Sequence, residues 1–137
     1  MDRLVSATFG LMLLLGGATS AEGQKRHLIE IEADSEKDVY RFVPARVTVR
    51  PGDVLVFKAT RGSPHSIVFE GRDLSEATHE AMNGAMTRRT GDLSSPLLPA
   101  DGSEYRMVMP RVSPGVYHFY CLPHRAYDER GELKIAR

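Results

Sequence analysis

Between Leu28 and Ala136 the apolar residues of this 137-residue chain fall into short runs closed by turn-forming residues, a pattern that restricts the fold to one built mainly of β-strands. Leu28, Ile29 and Ile31, with Glu30 and Glu32 between and beside them, predict a half-buried strand. Tyr40-Arg41-Phe42-Val43 predicts a second, stopped by Pro44. Val47-Thr48-Val49 and Val54-Leu55-Val56-Phe57 predict two more around the turn Pro51-Gly52-Asp53, and Ser66 to Phe69 follows the turn Arg61-Gly62-Ser63-Pro64. Tyr105 to Met109, Gly115 to Cys121 and Glu132 to Ala136 complete the set. Residues 22–27 and Ala33 to Asp38 are polar and read as an arm and a loop.

One interval breaks the pattern. Helix formers gather between Leu74 and Met86, and Asp73 with Glu76 three residues later is an expected helix start, predicting about three turns. Gly91, Pro96 and Pro99 then return the chain to irregular structure. Strands at this spacing around one helical excursion imply an all-β domain, an antiparallel sandwich of two sheets. The length suits a single domain whose core needs no disulfide.

The chain opens as an export signal does. Arg3 supplies positive charge, the apolar stretch runs from Leu4 to Ala18, and Thr19-Ser20-Ala21 offers small residues for cleavage. Residues 1–21 are therefore expected to be removed, and 22–137 to form the mature domain. The apolar stretch is short for a membrane span, and no later segment is apolar enough, so no integral membrane segment is expected in the mature chain. No cysteine near the signal's end is available for a lipid. Periplasmic or extracellular residence follows. Lys+Arg and Asp+Glu both number 18, a balance that gives no reason to expect nucleic acid or an anionic membrane as partner. Ser-His-Asp sets, phosphate loops and paired catalytic carboxylates do not stand out, so hydrolytic and nucleotide chemistry lack support, and no enzymatic role is assigned.

Cys121 is the only cysteine, so an internal disulfide is impossible; it is a buried inert thiol, a reactive one, or a metal ligand. Its surroundings favour the last. His124 follows three residues later in Phe119-Tyr120-Cys121-Leu122-Pro123-His124, and His65 lies far upstream in Ser63-Pro64-His65-Ser66-Ile67. One thiolate and two imidazoles form the trigonal ligand set that electron-carrying copper sites use. Convergence requires a rigid sandwich to bring two distant loops together, with Pro64 and Pro123 stiffening them and Ser66 placed to tie one to the other.

Phe42-x-Pro44, Gly52-Asp53-x-Leu55-x-Phe57, Pro64-His65-Ser66-Ile67-Val68-Phe69 and Gly115-x-Tyr117-x-Phe119-Tyr120-Cys121-x-Pro123-His124 together resemble the cupredoxins, closest to their plastocyanin and pseudoazurin branch. The resemblance covers nearly all of the expected mature chain and is weakest around the helix. It implies a Greek-key sandwich and a small exported protein binding one copper ion, Cu(I)/Cu(II), at His65, Cys121 and His124. It also implies transfer of single electrons to redox partner proteins docking near His124, the protein acting as a monomer. Tyr120 resembles a position on an electron route in these relatives, although core packing also explains it.

The loop after the second histidine departs from the family pattern. Where relatives place a methionine five residues on and a glycine two beyond it, this chain has Glu129 and Gly131. Three outcomes stay open: Glu129 binds copper through a carboxylate oxygen, it points to solvent and leaves three ligands, or a backbone carbonyl beside His65 takes the axial place. Met107 and Met109 read as strand residues instead of substitutes. His118, three before Cys121, falls on the opposite strand face, and His27 belongs to the polar arm. His79, Met82 and Met86 share one helix face that would suit a second, soft copper site, hence storage or delivery of copper, although core packing explains the methionines better. An open axial position admitting a small molecule is the enzymatic alternative.

Overall fold

The computed structural model describes residues 23–137; the expected signal and its cleavage site lie outside them. The chain forms strands β1 (Arg26–Asp34), β2 (Val39–Val43), β3 (Arg46–Val49), β4 (Val54–Arg61) and β5 (Val68–Phe69), helix α1 (Glu76–Ala85), then β6 (Glu104–Val108), β7 (Gly115–Tyr120) and β8 (Arg130–Ile135). Two four-stranded sheets face one another, ordered β2-β1-β4-β6 and β3-β8-β7-β5. The antiparallel pairs that the turn pattern suggested make up most of both sheets, and each sheet adds one parallel pair, β1 with β4 and β3 with β8. A short turn signal marks where a strand ends, not which neighbour it chooses.

Alternation along the strands builds the core. Ile29 and Ile31 of β1 are buried while Leu28 is exposed, and β4, covered on both flanks, buries Leu55, Val56, Phe57 and Ala59. Phe119 of β7 stands at the centre, with edge-to-face contacts to Phe42 at 4.8 Å and Phe57 at 5.5 Å between ring centroids. The end of its ring packs against Gly131: a β-carbon there would come within 2.3 Å of the Phe119 ring, so the adjoining strand β8 closes only because that residue has no side chain.

Three local expectations are corrected. Arg26 and His27 belong to β1 instead of an arm, because β1 pairs along its length with β4, and His27 Nε2 lies 2.8 Å from the Asp53 carboxylate. Ala33 and Asp34 likewise extend β1 and are buried. The helix is capped by Ser75, whose hydroxyl accepts from the Thr78 amide at 3.2 Å, two residues later than the Asp73 start. Met82 and Met86 on its inner face, with Met107 and Met109 of the β6 region, lie in the core, so packing accounts for all four. His79 is partly exposed and bonds Asp92 at 2.9 Å, while Met82 and Met86 are buried in the core.

Candidate metal centre

Two loops at one end of the sandwich meet around Cys121. His65 lies between β4 and β5, held by paired backbone bonds to Leu98: its amide donates to the Leu98 carbonyl at 3.1 Å, and the Leu98 amide returns one at 2.8 Å. Cys121 directly follows β7. The chain then runs through Leu122 and Pro123 to His124 and a 3-10 turn, Arg125–Tyr127, before Asp128 takes a left-handed conformation with φ 58°. The Cys121 amide donates to the Glu129 carbonyl at 3.0 Å, closing the loop and setting Glu129 opposite Cys121 at the root of β8.

The side chains of His65, Cys121, His124 and Glu129 each aim one donor atom inward, and these four atoms all lie within 4.8 Å of one another. Cys121 Sγ is 3.7 Å from His65 Nδ1 and 3.5 Å from His124 Nδ1. Glu129 Oε2 is 2.8 Å from His124 Nδ1, and its Oε1 is 3.6 Å from His65 Nδ1. His65, Cys121 and Glu129 are fully buried; only His124 reaches the surface, with 15% of its side chain exposed.

Neighbouring groups fix these donors in orientation. His65 Nε2 donates to the Arg61 carbonyl at 2.7 Å, which places the proton on Nε2 and leaves the Nδ1 lone pair directed at the cluster. The Leu122 amide donates to Ser66 Oγ at 3.2 Å, the tie between the two loops that the position of Ser66 suggested. The Arg61 contribution comes from a backbone atom, which leaves no signature in residue type. The adjoining Gly62 is the one indirect sign: its φ is +71°, and a β-carbon there would strike the Ala33 carbonyl oxygen at 2.1 Å.

The electrostatics call for a cation. Burial, reinforced by the Glu129 charge and only partly offset by the Ser66 amide, pushes the Cys121 thiol up to about 12. Both Glu129 oxygens are buried, and among the described residues they face only the His65 and His124 imidazoles and the Cys121 thiol, a costly state for a carboxylate. Burial pulls the His65 imidazole down, but the Glu129 carboxylate and the Arg61 carbonyl outweigh it and leave His65 above the ordinary range. A divalent ion among these donors would satisfy the carboxylate and stabilise a thiolate together. One sulfur, two imidazole nitrogens and a carboxylate oxygen suit a transition metal, and the residues fit copper.

Of the alternatives left open at the fourth position, the fold turns Glu129 inward while its neighbours Asp128 and Arg130 stay exposed. His118 points to the outer face of β7 beside Glu132, away from the cluster, as its register predicts. Tyr120 is half-buried, with the Arg125 guanidinium 4.9 Å above its ring. Tyr40 of β2, unremarked in the sequence, stacks on Tyr127 with centroids 4.1 Å apart and planes 8° from parallel, and also meets the His124 ring at 5.5 Å.

Residues 29–136 match the family model for copper binding proteins of the plastocyanin/azurin family. The chain is 33% identical over 107 residues to plastocyanin of Rumex obtusifolius, spanning 78% of this chain and 99% of that protein. It is 28% identical over 127 residues to the chloroplastic plastocyanin minor isoform of Arabidopsis thaliana, spanning 93% and 69%. Among solved structures, oxidised plastocyanin from Dryopteris crassirhizoma superposes with a TM-score of 0.62 at 23% identity, covering 80% of this chain and 100% of that one. A purple cupredoxin from Nitrosopumilus maritimus gives 0.53 at 20%, covering 80% and 98%. At such identities the structural likeness speaks for the fold, a cupredoxin sandwich, while the family model and the Rumex relative establish descent: this chain belongs to the plastocyanin/azurin family of copper-binding proteins.

Proposed function

We propose that this chain is an exported electron carrier whose copper is held by His65, Cys121, His124 and Glu129. The observation that carries the reading is the convergence of those four donor atoms within 4.8 Å, with the Glu129 carboxylate fully buried and facing only the other three donors. When bound, copper supplies a one-electron couple between Cu(I) and Cu(II). The chain's part is to hold one geometry for both oxidation states. His65 is fixed by Leu98 and Arg61, Cys121 by its bond to the Glu129 backbone, and the two loops by Ser66, so a change of charge need not move the donors far.

The buried donors exclude water and leave His124 as the exposed edge, with exposed Leu122 and Tyr127 in the same loop. Redox partner proteins dock there, and the protein works as a monomer without catalysing a reaction of its own. The anionic oxygen of Glu129 completes the donor set, which argues against an open position for small molecules, and it biases the couple toward Cu(II). Export rests on the charged and apolar pattern of residues 1–21. Among the described residues no helix is long and apolar enough to cross a membrane.

Visible and electron spin resonance spectra of the copper-loaded protein and of Glu129→Gln test the assignment. An intense thiolate-to-copper band in the parent, with spectra altered by the substitution, is expected. A parent without that band would remove the copper assignment, and coincident spectra would remove Glu129 from the ligand set.

A further inference from the structure

Three of the four proposed donors, Cys121, His124 and Glu129, come from one loop, and the middle of that loop is tied mainly to itself. The Arg125 amide donates to Leu122 at 3.3 Å, the Tyr127 amide to His124 at 3.0 Å and the Asp128 amide to Arg125 at 3.2 Å, all within the loop. The ends are secured by Ser66 at Leu122 and by β8 after Glu129. Between those anchors, His124 meets His65 ring to ring at 5.0 Å, a contact between two members of the cluster itself, and Arg125 covers Tyr120 of the preceding strand.

Tyr40 differs from these because the opposite sheet fixes its position. It pairs with Ala33 in the β1–β2 register and shares a strand face with Phe42, which is locked in the core against Phe57 and Phe119. From this base its ring lies parallel on Tyr127 at 4.1 Å and tilted against His124 at 5.5 Å. A single side chain of the other sheet thus touches both the exposed donor and the turn that follows it.

We propose that Tyr40 is a positioning residue: a brace, set by the sandwich before any metal binds, that holds the His124–Tyr127 turn closed over the metal centre. The consequence for the copper site rests on the ligand assignment above; the closure itself does not. Tyr40 works chiefly through ring packing; its hydroxyl also bonds the Tyr127 side chain, so Phe keeps most, not all, of the brace. Stacking of this kind shifts a local opening equilibrium by about five- to tenfold.

Amide hydrogen exchange on the metal-free protein separates the brace from the copper reading. Tyr40→Ala should raise exchange at His124 to Asp128 by about five- to tenfold while β4 and β7 keep their protection, and Tyr40→Phe, which keeps the stack and loses only the hydroxyl contact, should stay much closer to the parent than to Tyr40→Ala. In the copper-loaded protein, Tyr40→Ala should release metal to a competing chelator faster by a similar factor and become sensitive to azide in its visible spectrum, both largely rescued by Phe. Should Tyr40→Ala disturb β2 broadly, Tyr127→Ala removes the same stack from the exposed side and should give the same local exchange. Parental exchange at 124–128 in both Ala variants overturns the proposal, as does exchange in Tyr40→Phe as fast as in Tyr40→Ala. A protein that takes up no copper but shows the local exchange change would retain the brace and discard the ligand assignment.

Discussion

Oε2 of Glu129 lies 2.8 Å from Nδ1 of His124 although the carboxylate is fully buried, so the anion and the imidazole face a common point from which solvent is excluded. Glu129→Gln keeps the shape of the side chain and removes its charge. In the copper protein the reduction potential should rise by on the order of 100–200 mV, from about 4 kcal/mol for a unit charge at ~4 Å and an effective dielectric of ~20. Voltammetry checks the shift. In the metal-free protein the same substitution removes both the cost of a buried charge and its pairing with the His124 and His65 imidazoles, so urea denaturation should show a small net change, within about 1–3 kcal/mol.

Metal-free Cys121 should behave as an inert thiol. With its value raised from 9.0 to about 12, roughly one molecule in ten thousand carries a thiolate near pH 8, and alkylation should be far slower than for a free cysteine. Copper uptake must then release the thiol proton, measurable by calorimetry in buffers of different ionisation enthalpy. For stability the raised folded value sets the sign. The contribution is complete below the unfolded value and is lost as pH rises toward 12, at up to about 1.4 kcal/mol per pH unit. The stability difference between the metal-free parent and Cys121→Ser should isolate this loss above about pH 9.

Asp53 anchors the start of β4 by accepting from the amides of Lys25 at 3.1 Å and Arg50 at 3.0 Å, and from His27. Burial works against its charge, but these donors outweigh burial and hold the carboxyl below the usual carboxylate range. Its contribution is therefore present above about pH 4 and lost as pH falls through the depressed folded value. Asp53→Ala should cost about 1–3 kcal/mol near neutrality, and the difference from the parent should shrink in acid. Guanidinium titrations at the two pH values measure both.

Gly131→Ala would place a β-carbon 2.3 Å from the Phe119 ring, in the centre of the core and two residues from Glu129. Overpacking of this kind should cost about 1–3 kcal/mol in thermal or chemical denaturation. Because Phe119 is two residues before Cys121, the copper spectrum should shift as well. Gly84→Ala in α1, whose β-carbon meets nothing within 4 Å, serves as the comparison for spectral effects.

Alternation and turn chemistry wrote the strands and the helix into the sequence, because burial on one strand face and the backbone demands of Pro, Gly and Asp are local properties. His65, Cys121 and His124 were legible for the same reason: one soft and two imidazole donors beside rigid turns are readable as residue types. Ser66 was readable as a hydroxyl placed between the two loops. The parallel partners of β1 and β3 were not legible, since pairing depends on the path of the whole chain. The orientation of Glu129 was equally hidden. Its neighbours Asp128 and Arg130 are solvated, and only the Cys121–Glu129 backbone bond and the left-handed turn at Asp128 rotate the carboxylate inward. The Arg61 carbonyl and the Tyr40 ring reach the site from β4 and β2, through a backbone atom and a stack between sheets. Such contacts carry no pattern along the chain; they exist only once packing two sheets has brought distant residues within van der Waals reach.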